Sequence, residues 1–374
     1  MNKHWQQILQ KLWGIEVKLV RLDGEYDLNF LAIGKNEYVL KVMRIGCDPG
    51  FIDMQCRAFD HIRANAPDVP VPAIIETISG ELFTSVPDEN GAQRIIWLMQ
   101  KMPGKTYANW RPHGADLLSD VGKNVGAMDK ALSDFEHPSL QRTFKWDLKK
   151  SLWISGEMSA ILDPERRALL CAIVQEFVNS KESLDALPSV AIHNDVNDYN
   201  ILVDGKLGSP ARVSGLIDLG DMCANPRVCD LAITGAYMVL DHPTPEAALC
   251  ALVAGYHSVY PLSTKEIDLL WPLLRMRLAV SVVNSTLMAS ENPDDPYVVI
   301  SQRPAWDFLQ GNRVNGELIG ARLRAACYLP VIDHSDEITS WINGERGNFA
   351  PVLGFDLSDA PMRSLSVEMS TTPI

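Results

Sequence analysis

The stretch from His193 to Asp221, HNDVNDYNILVDGKLGSPARVSGLIDLGD, constrains this chain more than any other. Asp195 stands two residues after His193, Asn200 five after Asp195, and Asp218 eighteen after Asn200. The apolar, β-prone triplets Val190-Ala191-Ile192 and Ile201-Leu202-Val203 bracket the first part, and Val213, Gly215 and Ile217 alternate with Ser214 and Leu216. The pattern predicts a loop that opens into a hairpin, with Asp204-Gly205 starting its turn. Such a hairpin returns Asp218 to the side of Asn200, where a carboxylate and an amide oxygen can share Mg²⁺. A lone H-x-D arises by chance, and Asp and Asn fill loops for turn reasons alone. The joint pattern of H-x-D-x-x-x-x-N, apolar triplet, turn, apolar strand and D-x-G is much harder to meet by chance.

These groups at these spacings are what phosphoryl transfer from a nucleotide needs. A kinase catalytic loop places an aspartate to accept the acceptor hydroxyl proton and an asparagine five residues on for a metal ion. A second aspartate, in a D-x-G turn, holds the other metal. After Asp218-Leu219-Gly220-Asp221 only about ten residues precede a predicted helix near Asp230. A protein kinase carries a long activation loop and an A-P-E motif there. Neither is present, which points to a small-molecule acceptor rather than a protein.

The length of 374 residues suggests about two domains, and 47% hydrophobic with 22% charged residues is an ordinary globular composition. No run of eighteen apolar residues predicts a membrane span. The start, MNKHWQQILQKLWG, has neither a long apolar core nor a small-residue cleavage site, so it does not read as a signal peptide. Seven scattered cysteines without a C-x-x-C pair read as reduced thiols of a cytoplasmic protein and argue against structural zinc. A net charge of −13 argues against a nucleic-acid surface. An anionic nucleotide would then be held by a few local cations and a metal, against a field that favours a cationic amine.

Along the chain, Trp5, Ile8, Leu9, Leu12 and Trp13 predict an amphipathic helix over 2–13. Strands are predicted at 17–22, 28–33 and 38–42, as an antiparallel meander. Leu22–Phe30, LDGEYDLNF, sits where a phosphate-covering loop would lie, with Gly24 and Asn29 as its candidate contacts. It has one glycine and no G-x-G-x-x-G, so an ordinary hairpin fits it equally. Lys41, in YVLKV, is either an edge-strand charge or the lysine that meets α- and β-phosphates, and the company of His193–Asp221 favours the second. Phe51, Met54, Ala58, Phe59 and Ile62 mark the buried stripe of a helix over 51–65. Gln55 stands beside that stripe, where many kinases keep the glutamate that pairs with the strand lysine. It either hydrogen-bonds Lys41 or borders the core. Pro67, Pro70 and Pro72 break the chain, strands follow at 73–78, 82–85 and 94–99, and Met99–Gly104 reads as a hinge. Its backbone at Gln100 and Met102 would face the nucleotide base.

Beyond the hinge the chain turns mainly helical. Leu118, Val121, Val125, Met128 and Leu132 share one helix face, and Asp163-Pro164 caps the next helix. The tryptophans of FKWDLKKSLW, 144–153, either line a pocket or fill core. Ser263 and Glu266 form a capping box ahead of a long apolar helix containing Pro272, Arg275 and Arg277. Arg277 either pairs with a carboxylate or touches substrate or phosphate. From Gly344 the chain carries Gly, Pro, Ser and Thr with little periodicity, as a tail or linker does.

HNDVNDYNILVD, GLIDLGD and CDLAI resemble the aminoglycoside phosphotransferase and choline kinase superfamily, over roughly residues 15–330. LDGEYDLNF, YVLKV, DMQCRAFDHI with VPVP, WDL and IHNDVNDYNIL look like hydroxylysine kinases and the kinase modules fused to class III aminotransferases. The resemblance implies an α+β, two-lobed protein-kinase-like fold. Residues 1–100 would form an N-terminal nucleotide-binding lobe, an antiparallel sheet with one main helix. Residues 101–344 would form a larger, mostly helical C-terminal lobe, and 345–374 a tail or interdomain linker. It makes Asp195 the catalytic base, Asn200 and Asp218 metal ligands and Lys41 the phosphate contact, with His193 bracing the loop. Asp221, Trp146, Asp147 and Arg277 are candidates for contacting substrate or supporting the site. Leu219 replaces the usual phenylalanine, and Gln55 the usual glutamate. The implied reaction takes Mg²⁺ with ATP or GTP and phosphorylates the hydroxyl of a small amine. A downstream aminotransferase-like domain is implied as a possible fusion. A nucleotide-binding scaffold without turnover is the rival reading.

Overall fold

The computed structural model describes residues 2–22, 24, 27–206, 209–291, 302–311, 316–331 and 334–353. Helix α1 (Asn2–Trp13) is followed by β1 (Lys18–Leu22), β2 (Leu28–Ile33), β3 (Glu37–Val42) and α2 (Pro49–Asn65). Next come β4 (Ile74–Ile75), β5 (Phe83–Pro87), β6 (Gln93–Gln100) and β7 (Lys105–Thr106). Helices α3 (Ala115–Leu132) and α4 (Pro164–Asp185) bracket a 3₁₀ run over Leu148–Ala160. Short strands β8 (Val190–Ile192), β9 (Ile201–Asp204), β10 (Arg212–Leu216) and β11 (Cys223–Asn225) come after them. Helices α5 (Val228–Met238), α6 (Pro245–Val259), α7 (Thr264–Glu291), α8 (Gln302–Gly311), α9 (Gly316–Ala326), α10 (Ser335–Glu345) and the single turn α11 (Ala350–Leu353) complete the order. Of the tail expected over 345–374, the residues to Leu353 continue as a 3₁₀ turn over Arg346–Phe349 and the turn of α11, and those from 354 on lie outside the described residues.

The chain forms two compact units. One takes in the residues up to His113, Asn124–Lys150 and Leu187–Thr234; the other Gly114–Lys123, Ser151–Ala186 and the residues from Gly235 on.

The first unit is built on an antiparallel sheet ordered β1-β2-β3-β6-β4, with β5 also on β6. Its core side is set by alternation along each strand: Leu19, Phe30, Ala32, Leu40, Val42, Ile96 and Leu98 are buried with Trp5, Leu9 and Trp13 of α1. Each such Leu, Ile, Val or Phe side chain contributes about 1.5–3 kcal/mol on burial. The other side of the pleat carries a row read straight off the register: Leu22 opposite Asn29, Asn29 opposite Lys41, Lys41 opposite Trp97. The strand expected over 73–78 stops at Ile75. The N–H of Thr77 goes to Glu81 O and that of Ile78 to Leu12 O, the end of α1, so neither can extend the ladder. Helix α2 starts at Asp48, whose carboxylate accepts from Gly50 N, with Pro49 in the first turn.

The second unit is helical. Asp163 caps α4 through Glu165 N and Arg166 N. Ser263 and Glu266 make the expected reciprocal capping box at α7, with Ser263 N to Glu266 Oε2 at 2.8 Å and Glu266 N to Ser263 Oγ at 3.3 Å. Helix α7 is buried around most of its circumference from Ile267 to Ser285, which marks a central core helix. Its Arg275 pairs with Glu176 of α4. Two glycines let helices approach closely: a Cβ on Gly122 would lie 2.0 Å from Leu252 O, and one on Gly255 2.2 Å from Ser119 O.

Candidate active site

The loop predicted to carry the chemistry is suspended between two small sheets of the first unit. Strand β8 delivers His193 and pairs with β11, Cys223 opposite Ile192. Strands β9 and β10 form the predicted hairpin, Ile201 opposite Leu216, with a bulge between Val213 and Gly215. Ile217 N donates to Asn200 O at 3.0 Å. Asn200 and Asp218 therefore leave the hairpin's end side by side, as the sequence implied.

His193 is 1% exposed and closes the loop with both ring nitrogens. Nδ1 accepts from Asp195 N at 3.2 Å, which leaves the proton on Nε2, and Nε2 donates to Ile217 O at 3.0 Å. The loop backbone is held from below by Asp230 in the first turn of α5. Its two oxygens accept from His193 N at 3.0 Å and Asn194 N at 2.7 Å. Asn194 has a left-handed backbone, φ 64°, which asparagine tolerates better than most residues. Its Nδ2 donates to Trp146 O at 3.1 Å.

Asp195 Oδ2 accepts two amide hydrogen bonds, from Asn200 Nδ2 at 2.9 Å and Asn197 Nδ2 at 3.0 Å. Asn200 Nδ2 also reaches Asp195 O at 2.9 Å. Since that amide nitrogen is turned inward, the Asn200 oxygen is the atom presented away from Asp195. Asp218 too is left-handed, φ 67°, a strain of a kind that recurs at functional sites. Its Oδ1 takes Gly220 N at 3.2 Å and Lys41 Nζ at 3.0 Å. Burial works to raise the Asp218 carboxyl; the charge and hydrogen bond of Lys41 outweigh it and hold the group below the ordinary aspartate value.

Lys41 also lies over the face of Trp97, 5.6 Å from the ring centroid. Gln55, 1% exposed, turns its Nε2 to Phe51 O one turn back at 3.3 Å. The Lys41 ammonium is met by Asp218 and the Trp97 ring. Asn29 shares the Lys41 face of the sheet, and Gly24 stands against it: a Cβ there would come 2.4 Å from Asn29 Nδ2. Asp23, Glu25 and Tyr26 of the same expected loop lie outside the described residues. In the hinge, Gln100 N donates to Ala73 O at 2.8 Å, and Met102 packs against the hairpin, 3.0 Å from where a Gly215 Cβ would be.

Asp221 is engaged by Arg142, 3.6 Å away. The same guanidinium donates to Gly220 O at 2.5 Å and Met222 O at 3.3 Å and sits between the Phe51 and Phe144 rings. Asp147, 3% exposed, accepts from Asn225 Nδ2 at 2.9 Å and from Lys150 Nζ at 2.9 Å, and so braces β11. Trp146 is partly buried and serves the loop through its carbonyl. Arg277 belongs to the second unit. It is 2% exposed, donates to Tyr237 Oη at 3.3 Å and lies over that ring.

Four supporting residues were not singled out from the sequence. Asp230 had a signal, an acid in the first turn of a helix just after the D-x-G turn. Asn197 had one too, a turn-forming residue between Asp195 and Asn200. Arg142 and Trp97 had none, because their partners lie 78 and 56 positions away. Among the described residues no group of three or more His, Cys, Asp or Glu could hold a metal. Asn200 and Asp218 bring one amide and one carboxylate side chain to the end of the hairpin.

The family described as phosphotransferase enzyme family matches residues 18–267. A hydroxylysine kinase of Danio rerio is 29% identical over 311 residues, covering 79% of this chain and 86% of that protein. Among solved structures, a microcompartment-associated aminopropanol kinase aligns with a TM-score of 0.63 at 18% identity, covering 87% of this chain and 98% of that one. An amicoumacin kinase aligns with a TM-score of 0.61 at 12% identity, covering 84% and 96%. These two share the fold, an antiparallel N-terminal sheet followed by a mostly helical part, as expected. With residues 18–267 matched, this chain belongs to the phosphotransferase enzyme family and is a small-molecule kinase acting on a hydroxyl group.

Proposed function

We propose that this kinase transfers the γ-phosphoryl group of ATP or GTP, as the Mg²⁺ complex, to the hydroxyl of a small amine-bearing acceptor of the hydroxylysine or amino-alcohol type. The observation that carries this reading is the convergence of Lys41, Asp195, Asn200 and Asp218 on one loop and hairpin. Asp195 orients the acceptor hydroxyl and takes its proton. Asn200 through its amide oxygen and Asp218 through its carboxylate are the metal donors, and bound Mg²⁺ supplies positive charge against the phosphates. Lys41 meets the α- and β-phosphates, Gly24 and Asn29 lie along them, and the backbone from Gln100 to Met102 faces the base. A loose phosphoryl transition state asks little proton removal early on, so positioning and charge neutralisation do most of the work. His193, Asp147 and Asp221 keep the loop and the metal turn in place.

Support for the nucleotide and a divalent cation comes from the amicoumacin kinase, solved with AMP-PNP and Ca²⁺. Support for an amine-bearing acceptor comes from the names of the hydroxylysine and aminopropanol kinases and from the net charge of −13. Seven free thiols agree with a cytoplasmic setting. The test is nucleotide consumption with Mg²⁺ against hydroxylysine, ethanolamine-type alcohols, choline, homoserine and an aminoglycoside, with ATP and GTP in parallel. Turnover on one acceptor should fall about 10²–10⁴-fold in Asp195→Asn. An effect below about threefold would rule Asp195 out as the base. Nucleotide binding without turnover on any acceptor would favour a scaffold.

A further inference from the structure

We propose that Asn197 is a positioning residue for the phosphoryl transfer, fixing the plane of the Asp195 carboxylate; this rests on the reading of Asp195 as the base. Asn197 uses both ends of its side-chain amide. Its Oδ1 accepts from Tyr199 N at 2.8 Å and from Asn200 N at 3.1 Å, which closes the turn between Asp195 and Asn200. Its Nδ2 donates to Asp195 Oδ2 at 3.0 Å. The backbone repeats the connection, with Asn197 N on Asp195 O at 2.8 Å and Asn200 N on Asn197 O at 3.1 Å.

The two ends of that amide do different jobs. The oxygen shapes the loop, and many turn residues would serve there. The nitrogen puts a second donor on an oxygen that already accepts from Asn200 Nδ2 at 2.9 Å. One donor leaves a carboxylate able to swing about its terminal torsion, which is broad for aspartate. Two donors converging on Oδ2 from different residues remove that freedom and set how the carboxylate meets the hydroxyl. Asn200 joins the base to the proposed metal donor set through a single amide, nitrogen on Asp195 and oxygen outward. Asn197 fixes the backbone of that same residue, so it aligns base and metal donor together. Misplacement by about 1 Å costs on the order of 10²-fold in such a site.

The experiment separates the two jobs. Asn197→Asp keeps an oxygen for the Tyr199 and Asn200 N–H groups but replaces the donor with a carboxylate facing Asp195. Asn197→Ser keeps a shorter turn acceptor and cannot reach Asp195. Both are measured beside wild type and Asp195→Asn for kcat, for the KM of Mg-nucleotide and for thermal unfolding. Both should unfold within a few degrees of wild type and keep nucleotide KM within about threefold, while kcat falls about 10- to 100-fold, more in Asn197→Asp. Unchanged kcat in both, with Asp195→Asn inactive, overturns the inference and leaves the base in place. Unfolding of both also overturns it, since the turn acceptor was retained. An active Asp195→Asn removes the base reading itself.

Discussion

Replacing Arg142 by methionine removes one side chain from behind the Asp218–Asp221 turn. Its guanidinium donates to Gly220 O and Met222 O, faces Asp221 at 3.6 Å, and is layered between Phe51 of α2 and Phe144. Two charged hydrogen bonds to backbone carbonyls are worth about 1.5–3 kcal/mol each, and two ring contacts about 0.5–1 kcal/mol each. The opposing effect is desolvation. Burial draws the Arg142 pKa below its ordinary value and outweighs the pull of Asp221, so part of the gross gain is cancelled. Methionine refills the apolar slot between the rings yet leaves two carbonyls without a donor, at about 1–3 kcal/mol each. The expected net loss is about 2–4 kcal/mol. Urea unfolding followed by tryptophan fluorescence reads it, together with turnover as a function of Mg²⁺. The apparent metal requirement should rise at least about tenfold, as it does when groups behind a metal ligand are removed. Arg142→Lys should recover less than half of either loss, since an ammonium cannot span both carbonyls. A loss below about 0.5 kcal/mol with an unchanged metal requirement would show that the turn holds itself, and would refute the reasoning.

Two further outcomes test the two units separately. Gly122→Ala puts a methyl 2.0 Å from Leu252 O; overpacking of about 3 kcal/mol or more should outweigh the helix-propensity gain of about 1 kcal/mol, and an unchanged melting temperature would contradict the close approach of α3 and α6. At Asp53, burial works to raise the carboxyl, but hydrogen bonds and charges from Arg57 and His137 outweigh it, so it titrates below the ordinary aspartate value. Its contribution is therefore present above the unfolded value near pH 3.9 and is lost as pH falls through the lower folded value. Asp53→Asn should lower the melting temperature at pH 7, with the gap closing in strong acid; a gap that widens in acid would reverse the sign.

What the sequence made legible follows from where each hydrogen bond ends. The H-x-D-x-x-x-x-N loop closes on itself within eight residues, through His193 to Asp195 and Asn197 to Asn200. Its spacing could therefore be read as geometry. The hairpin that returns Asp218 is equally local, and so is the Ser263–Glu266 capping box. The bracing groups are not local. Arg142 reaches the Asp218–Asp221 turn from 78 positions away, Trp97 meets Lys41 across a strand pair, and Asp147 supports β11 from just before a 3₁₀ run. No periodicity or turn chemistry announces such partners, because only the folded sheet order sets them. The strand expected over 73–78 failed for the same reason. Its apolar run is β-prone, but the N–H groups of Thr77 and Ile78 are claimed by Glu81 and by the end of α1.

Gln55 shows how a departure in sequence redistributes a physical task. A glutamate at that position of α2 would give the strand lysine a fixed anionic partner carried by a helix. The neutral amide is spent on Phe51 O within its own helix instead. The Lys41 charge still needs compensation, and it finds it in Asp218 Oδ1 and the Trp97 ring. Both substitutes belong to β-structure: Trp97 is paired directly with Lys41 in the sheet, and Asp218 follows the β10 strand. The position of the lysine is thereby tied to strand register, which is fixed once one face of the sheet is buried. Helix α2 is relieved of presenting a charge and keeps Gln55 among its buried residues.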